Sequence, residues 1–264
     1  MEANFYVYKK KKKAHQIADA MVKGFGATKK LSTDDLSPGV MMTYGVWEEC
    51  SDLIKICEKT GSDYLYIDNS YFNQTRKEYY RLVKNGRLYH ETKDRPSDRW
   101  EKLNIKLKPW KKTGSKIIIA PILRLTAETV LDLNIDKWIE DTIKILSENT
   151  DREIIVKWRT KIFSVEKGRL NQIAITKPKL RDYLTDAHAL VTTESNSSIE
   201  SIIHGVPIFC GNDNPVHRIA ESDLSKIETP IYPDREQVLW NLAYQQFTIP
   251  EMASGFAKEI LYGS

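Results

Sequence analysis

Apolar and polar positions along the chain alternate between the period of a strand and that of a helix. Asn4 to Tyr8 (NFYVY) is a short run with the aromatic and β-branched content of a strand. Ala14 to Lys23 places Ile17, Ala18, Met21 and Val22 at helical spacing, and Gly24 and Gly26 mark its end. Val40 to Tyr44 predicts a second strand, Glu48 to Lys59 a helix stopping at Gly61, and Asp63 to Asp68 a third strand closing in a polar turn. This β-α-β-α-β order predicts a doubly wound domain with a parallel sheet.

From about Tyr71 to Lys112 the periodicity breaks. The segment is rich in aromatics and arginines, with Asn85-Gly86 set between apolar runs as a hairpin turn. Pro109 and Gly114 then mark a linker near Leu107 to Gly114. A second alternating series follows. Lys116 to Pro121 and Glu153 to Trp158 predict strands. Thr126 to Asn149 between them predicts one or two helices, with Asp136 as a cap. Leu180 to Thr185 predicts a short helix before a strand at Ala189 to Val191. After a Ser/Thr-rich turn come a helix from near Ser197, Gly205, and a strand at Val206 to Cys210. Arg235 to Leu261 predicts two helices, with Trp240, Leu242, Ala243 and Phe247 facing inward. The expected fold class is α/β, with two doubly wound, Rossmann-like domains facing a cleft. Residues 1–108 would form the first domain and 109–264 the second, the terminal helices being free to pack back on the first.

Composition narrows the class. With 41% hydrophobic and 29% charged residues the chain is globular, not disordered. No apolar run reaches the roughly 18 residues that span a bilayer, and in MEANFYVYKKKKK the charges follow the apolar residues, the reverse of a secretory signal. Cys50, Cys57 and Cys210 form no CxxC pair, which argues against a disulfide framework or zinc site. A cytoplasmic protein without a membrane partner is expected. The net charge, 40 − 36 = +4, matters less than its placement. Lys9 to Lys13 form a run, and Lys106, Lys108, Lys111, Lys112 and Lys116 recur around a tryptophan. These are either solvated basic segments or a face that attracts phosphate.

The stretch HALVTTESNSSIESIIHGVPIFCG, His188 to Gly211, concentrates the candidate chemistry. It is half of a βαβ unit whose helix opens on the side where parallel sheets bind ligands. Asn196, Ser197 and Ser198 offer caps and hydroxyls beside the first helical N–H groups, and Thr193, Glu194 and Ser195 complete the turn. Arg124 and Arg159 follow two neighbouring strands and suit a pair of phosphates, or else pair with Glu128 and Glu166. Glu200 complements the helix dipole or accepts from a ribose diol. Asp68, in YIDNSYFN, closes the third strand. It either forms an Asx-turn or stands where a general base is needed, with Asn69, Tyr71 and Asn73 beside it. No DxD motif or metal-ligand spacing appears, so no metal and no cofactor are expected.

These residues resemble the donor-site signature of GT-B-type glycosyltransferases. They look most like glycosyltransferase-like proteins of tailed bacteriophages and the related capsule-polysaccharide enzymes. Ser195, Asn196, Ile199, Glu200 and Ser201 stand at that signature's helix opening, and Gly205-Val206-Pro207 matches its G-x-P. YIDNSYFN, YYRLVKNG and LKPWKKTG extend the resemblance to about three quarters of the chain. Arg159-Thr160-Lys161 departs from the relatives' R-x-H-P, and five lysines replace a glycine-rich loop after the first strand. The resemblance implies a metal-independent glycosyltransferase using a nucleotide-diphosphate sugar. Its second domain would hold the donor, and Asp68 would deprotonate the acceptor. It also implies an acceptor hydroxyl on a hydroxymethylated base of phage double-stranded DNA, whose backbone Lys11, Lys12 and Lys13 would hold. The alternatives are a glycan or capsule-type transferase, a nucleotide-sugar epimerase, and a non-enzymatic basic nucleic-acid-binding protein.

Overall fold

The structure is a computed structural model that describes residues 2–7, 11–31, 39–45, 48–72, 75, 77–86, 93–158, 161–166, 168–175 and 179–263. The chain divides into two compact units, Met1–Leu103 with Trp240–Ser264, and Asn104–Leu239.

In the first unit, β1 (Ala3–Tyr6), α1 (Lys12–Phe25), β2 (Thr28–Lys30), β3 (Val40–Tyr44), α2 (Glu48–Thr60) and β4 (Tyr64–Asn69) form a doubly wound core. β5 (Tyr79–Lys84) and α3 (Asp98–Lys102) follow. The strands β2, β1, β3 and β4 are mutually parallel, and β5 runs antiparallel to β4. Phe5, Val7, Val40, Met42, Leu65 and Ile67 point to one face, where Ile17, Ala18 and Met21 of α1 cover them. Tyr6, Met41, Tyr64 and Tyr66 point to the other, against Leu53 and Ile54 of α2. Burial on both faces explains why these strands read as continuous apolar runs. Gly26, with φ of 71°, caps α1. Gly24 lies inside the helix, where a side chain would meet the Met252 carbonyl. Asn85 adopts φ of 51° after β5 and donates from Nδ2 to Asp63 at 2.6 Å. The segment expected to return from that turn begins at Arg87, outside the described residues.

The second unit contains β6 (Lys116–Ile119), α4 (Arg124–Val130), α5 (Ile135–Asn149), β7 (Glu153–Trp158), β8 (Lys161–Glu166), β9 (Arg169–Ile175), α6 (Leu180–Tyr183), β10 (Ala187–Val191), α7 (Ser197–Ile203) and β11 (Ile208–Phe209). Its sheet order is β11-β10-β6-β7-β8-β9, parallel from β11 to β7 and antiparallel beyond. Ile117, Ile119, Ile154, Val156, Ala189 and Val191 pack beneath α5, and Ile118, Ile155, Leu190 and Val206 fill the opposite face.

α8 (Glu236–Ala243) carries the chain into β12 (Gln246–Thr248), which pairs with β5 at the edge of the first sheet. α9 (Ile249–Ala253) and α10 (Phe256–Tyr262) complete that unit. The tail therefore holds three helices and a strand, not two helices. Phe247 faces inward as a strand residue, and Thr248 with Glu251 forms the capping box that restarts the helix. Arg99 fastens this return. It donates to Glu251 at 2.6 Å and to the carbonyls of Ala243 and Gln246 at 3.1 and 2.7 Å. No helix among the described residues is long and apolar enough to cross a membrane.

Candidate functional site

In the second unit the chain runs from β6 outward to β7, then returns at β10 on the other side of β6. The sheet's topological switch point therefore lies between β6 and β10, and open α/β sheets bind ligands beyond the strand ends at such a point. The Ser/Thr turn stands there. Thr192 Oγ1 donates to the Ala120 carbonyl at 2.6 Å, tying the two strand ends together, and lies 3.0 Å from Ser197 Oγ. Ser195 Oγ accepts from Ser197 N and Ser197 Oγ at 3.3 and 3.0 Å, and Ser198 Oγ donates to the Ser195 carbonyl at 2.8 Å.

Capping of α7 falls to Ser195 instead of Asn196, Ser197 or Ser198. Asn196 holds the cap position with φ −61° and ψ −9°, helical angles that give no side-chain cap. At the other end His204 Nδ1 lies 2.8 Å from the Glu200 carbonyl. Glu194, Asn196 and Glu200 are half-buried on the same turn and helix.

Two residues beside the turn escaped the sequence reading. Asn214, 1% exposed, donates from Nδ2 to the Thr193 carbonyl at 2.5 Å and accepts from Val216 N at 3.1 Å. It fixes the turn from the loop after β11, and the Asn-Pro pair after an apolar strand was its available signal. The buried Thr193 Oγ1 has no hydrogen-bond partner. Lys157 stands half-buried near the carboxyl end of β7. Burial lowers its pKa, and the Glu200 carboxylate opposes that shift.

Arg124 opens α4 but is already engaged. Nη1 and Nη2 each lie 2.6 Å from an oxygen of Asp136, Nη1 lies 3.3 Å from Glu128, and the guanidinium stacks 5.0 Å from the Trp158 ring. The ion pair with Glu128 is the alternative read from sequence. Asp136, by contrast, is not the cap of α5. Asn134 is, accepting from Lys137 N at 3.1 Å, while the Arg124 guanidinium holds the Asp136 carboxyl below its usual range. Arg159 lies outside the described residues.

In the first unit Asp68 stands at the carboxyl end of β4. Its Oδ2 receives Arg81 Nη2 at 3.1 Å and Tyr66 Oη at 3.4 Å, and its Oδ1 receives Asn69 N and Nδ2 at 2.7 and 3.2 Å. Arg81 is Asp68's register partner on β5, so the sheet itself places the pair. Tyr71 is buried beneath Arg81, with its ring 5.8 Å from the guanidinium, and donates to Gln245 at 3.2 Å. At the same sheet edge Tyr44 packs edge-on to Tyr80 at 5.9 Å. Its hydroxyl pKa is pushed up to about 12 by burial, then by Asp68 and Tyr80. Lys11, Lys12 and Lys13 are exposed at the start of α1, and Lys13 Nζ lies 5.0 Å from the Tyr80 ring centre. Asn73 lies outside the described residues. Among the described residues, no three His, Cys, Asp or Glu side chains are grouped so as to hold a metal ion.

No protein-family model matches the chain, and no curated protein matches it. Eighteen solved chains do match, two of them as follows. The β-Kdo 2,4 transferase of Thermosulfurimonas dismutans KpsC superposes with a TM-score of 0.53 at 11% identity, covering 92% of this chain and 91% of that one. The β-Kdo 2,7 transferase of the same KpsC gives 0.53 at 9% identity, covering 98% and 99%. At such identities the likeness is one of fold, and it extends over nearly the whole of both chains.

Proposed function

We propose that the protein is a glycosyltransferase that moves a sugar from a nucleotide-linked donor to an acceptor hydroxyl. The observation that carries this reading is the fold likeness, end to end, to two domains that transfer Kdo. The site chemistry supports it. At the switch point of the second unit the Thr193–Ser198 turn gathers hydroxyl and backbone donors, with Glu200 one turn along. Donors fixed in advance stabilise a departing phosphate without reorganising as charge develops. Here that charge is met by hydroxyls and backbone groups, with no metal invoked. In the first unit Asp68 is the general base, with Asn69 and the exposed Lys11–Lys13 on the acceptor side. Its carboxylate is held in place by Arg81 and Tyr66.

Two acceptor classes follow from different observations. The named activity of the two KpsC domains favours a glycan hydroxyl. The exposed Lys11–Lys13 would meet the phosphates of a duplex DNA acceptor, the hydroxymethylated base being what the sequence resemblance implies. The deciding experiment incubates the protein with a panel of nucleotide sugars and either oligosaccharides or hydroxymethylated DNA, and analyses products by mass spectrometry. A glycosylated nucleoside, with binding that weakens steeply in salt, selects DNA. A glycosylated oligosaccharide and a flat salt response select a glycan. Interconversion of the donor sugar without any acceptor makes the protein an epimerase and defeats the proposal.

A further inference from the structure

Among the described residues, the strand-end cation best placed for a donor phosphate is Lys157; Arg159 lies outside them. Arg124 is held bidentately by Asp136, and Glu128 adds a second carboxylate. Side chains along β7 alternate: Ile154 and Val156 enter the core beneath α5, and Ile155 enters the opposite core. Lys157 is next in the Ile155 register and so faces the side that α6 and α7 cover. Its electrostatic partner Glu200 belongs to α7, which follows β10. Because the sheet runs β10-β6-β7, the coupling of Lys157 to Glu200 spans the carboxyl end of β6, at the switch point itself. The Thr192–Ala120 hydrogen bond and the buried Thr193 Oγ1 belong to the same strand ends.

We propose that Lys157, among the described residues of the second unit, receives the donor's phosphate at the switch point. The assignment rests on the nucleotide-sugar reading above. Lysine suits this role because its ammonium is a compact charge on a flexible four-carbon stem, able to turn toward an entering anion. A phosphate there would accept charge-assisted hydrogen bonds, about twice as strong as neutral ones. Glu200, in the first turn of α7, is placed to accept from the donor's hydroxyls.

The test is calorimetric binding of UDP, GDP, CMP and uridine to the full chain and to its variants. The unaltered protein should bind at least one nucleotide more tightly than uridine. Lys157→Met should weaken that nucleotide by roughly ten- to a hundredfold while leaving uridine affinity unchanged, as expected for loss of one charged hydrogen bond. Lys157→Arg should retain most of the affinity, and the exposed Lys137→Met should bind as the unaltered protein does. If Lys157→Met unfolds, Lys157→Gln, which removes the charge but keeps a polar side chain, carries the same expectation. Full nucleotide affinity in a folded variant lacking Lys157 overturns the assignment and leaves the donor reading standing. Failure of the unaltered protein to bind any of the nucleotides overturns the donor reading, and this assignment with it.

Discussion

Gly205→Ala perturbs the place where the segment ahead of β6 crosses the end of α7. Gly205 has φ of 75°, and a Cβ there would lie 2.0 Å from the Pro109 carbonyl oxygen. That oxygen cannot retreat easily. Lys108 N donates to the Ile203 carbonyl at 3.0 Å, and Lys111 N donates to the Gly205 carbonyl at 2.7 Å. Arg235 donates to the carbonyls of Ile202 and Lys108 and lies 4.2 Å from the Trp110 ring. A left-handed conformation costs an L-residue about 1–2 kcal/mol, and forcing atoms into a packed site costs about 1–3 kcal/mol more. The expected loss is therefore about 2–5 kcal/mol, summed from those two effects. Gly168→Ala is the matched control, because Gly168 lies in the same unit at the same φ of 75° with nothing within 4 Å of its Cβ position. It should cost only the conformational part. Urea unfolding followed by circular dichroism measures both, and the gap of about 1–3 kcal/mol isolates the close approach. Equal losses for the two variants would refute the argument that Gly205 exists to admit the Pro109 backbone.

Asp68→Asn should lower the transfer rate about a hundred- to ten-thousandfold while leaving nucleotide binding intact, measured by product formation and calorimetry. Asn134→Ala removes the cap of α5 and should cost about 1 kcal/mol in urea unfolding. Glu251 gives a pH signature. Burial works to raise its pKa, but hydrogen bonds from Arg99 and Thr248 outweigh burial and hold the carboxyl below its ordinary 4.5. A depressed folded value makes its contribution fully present above that ordinary value and lost as pH falls through the folded one. Unfolding below about pH 4.5 should therefore be less steep in Glu251→Gln, in pH-resolved melts.

The central parallel strands were legible because burial on two faces leaves an unbroken apolar run, as in KIII and EIIV. The edge strands were not. TKK of β2 and QFT of β12 are three residues each, and what makes them strands is the hydrogen-bonding row of β1 or β5. The hairpin β8–β9 escaped for a similar reason: KIFSVE carries half-buried residues that signal neither a core strand nor a clean alternation. At the site, the turn around Ser195 was visible as a motif, since its hydrogen bonds join near neighbours. The engagement of Arg124 by Asp136 was not, because it depends on how α4 and α5 pack. Lys157 was hidden by its surroundings. One cation near the end of an apolar strand reads as a boundary until the sheet order shows which helix it faces. Asp68 was chosen by position alone, and its clamp by Arg81 required the register of β5.

The most direct test of the glycosyltransferase account measures free nucleotide and glycosylated acceptor in one reaction, across a panel of nucleotide sugars with oligosaccharide and hydroxymethylated-DNA acceptors. The account predicts that for one donor and one acceptor the two products rise in equal amounts, and that both fall sharply in Asp68→Asn. Nucleotide release without a glycosylated acceptor, or no reaction with any pair in the panel, would contradict it.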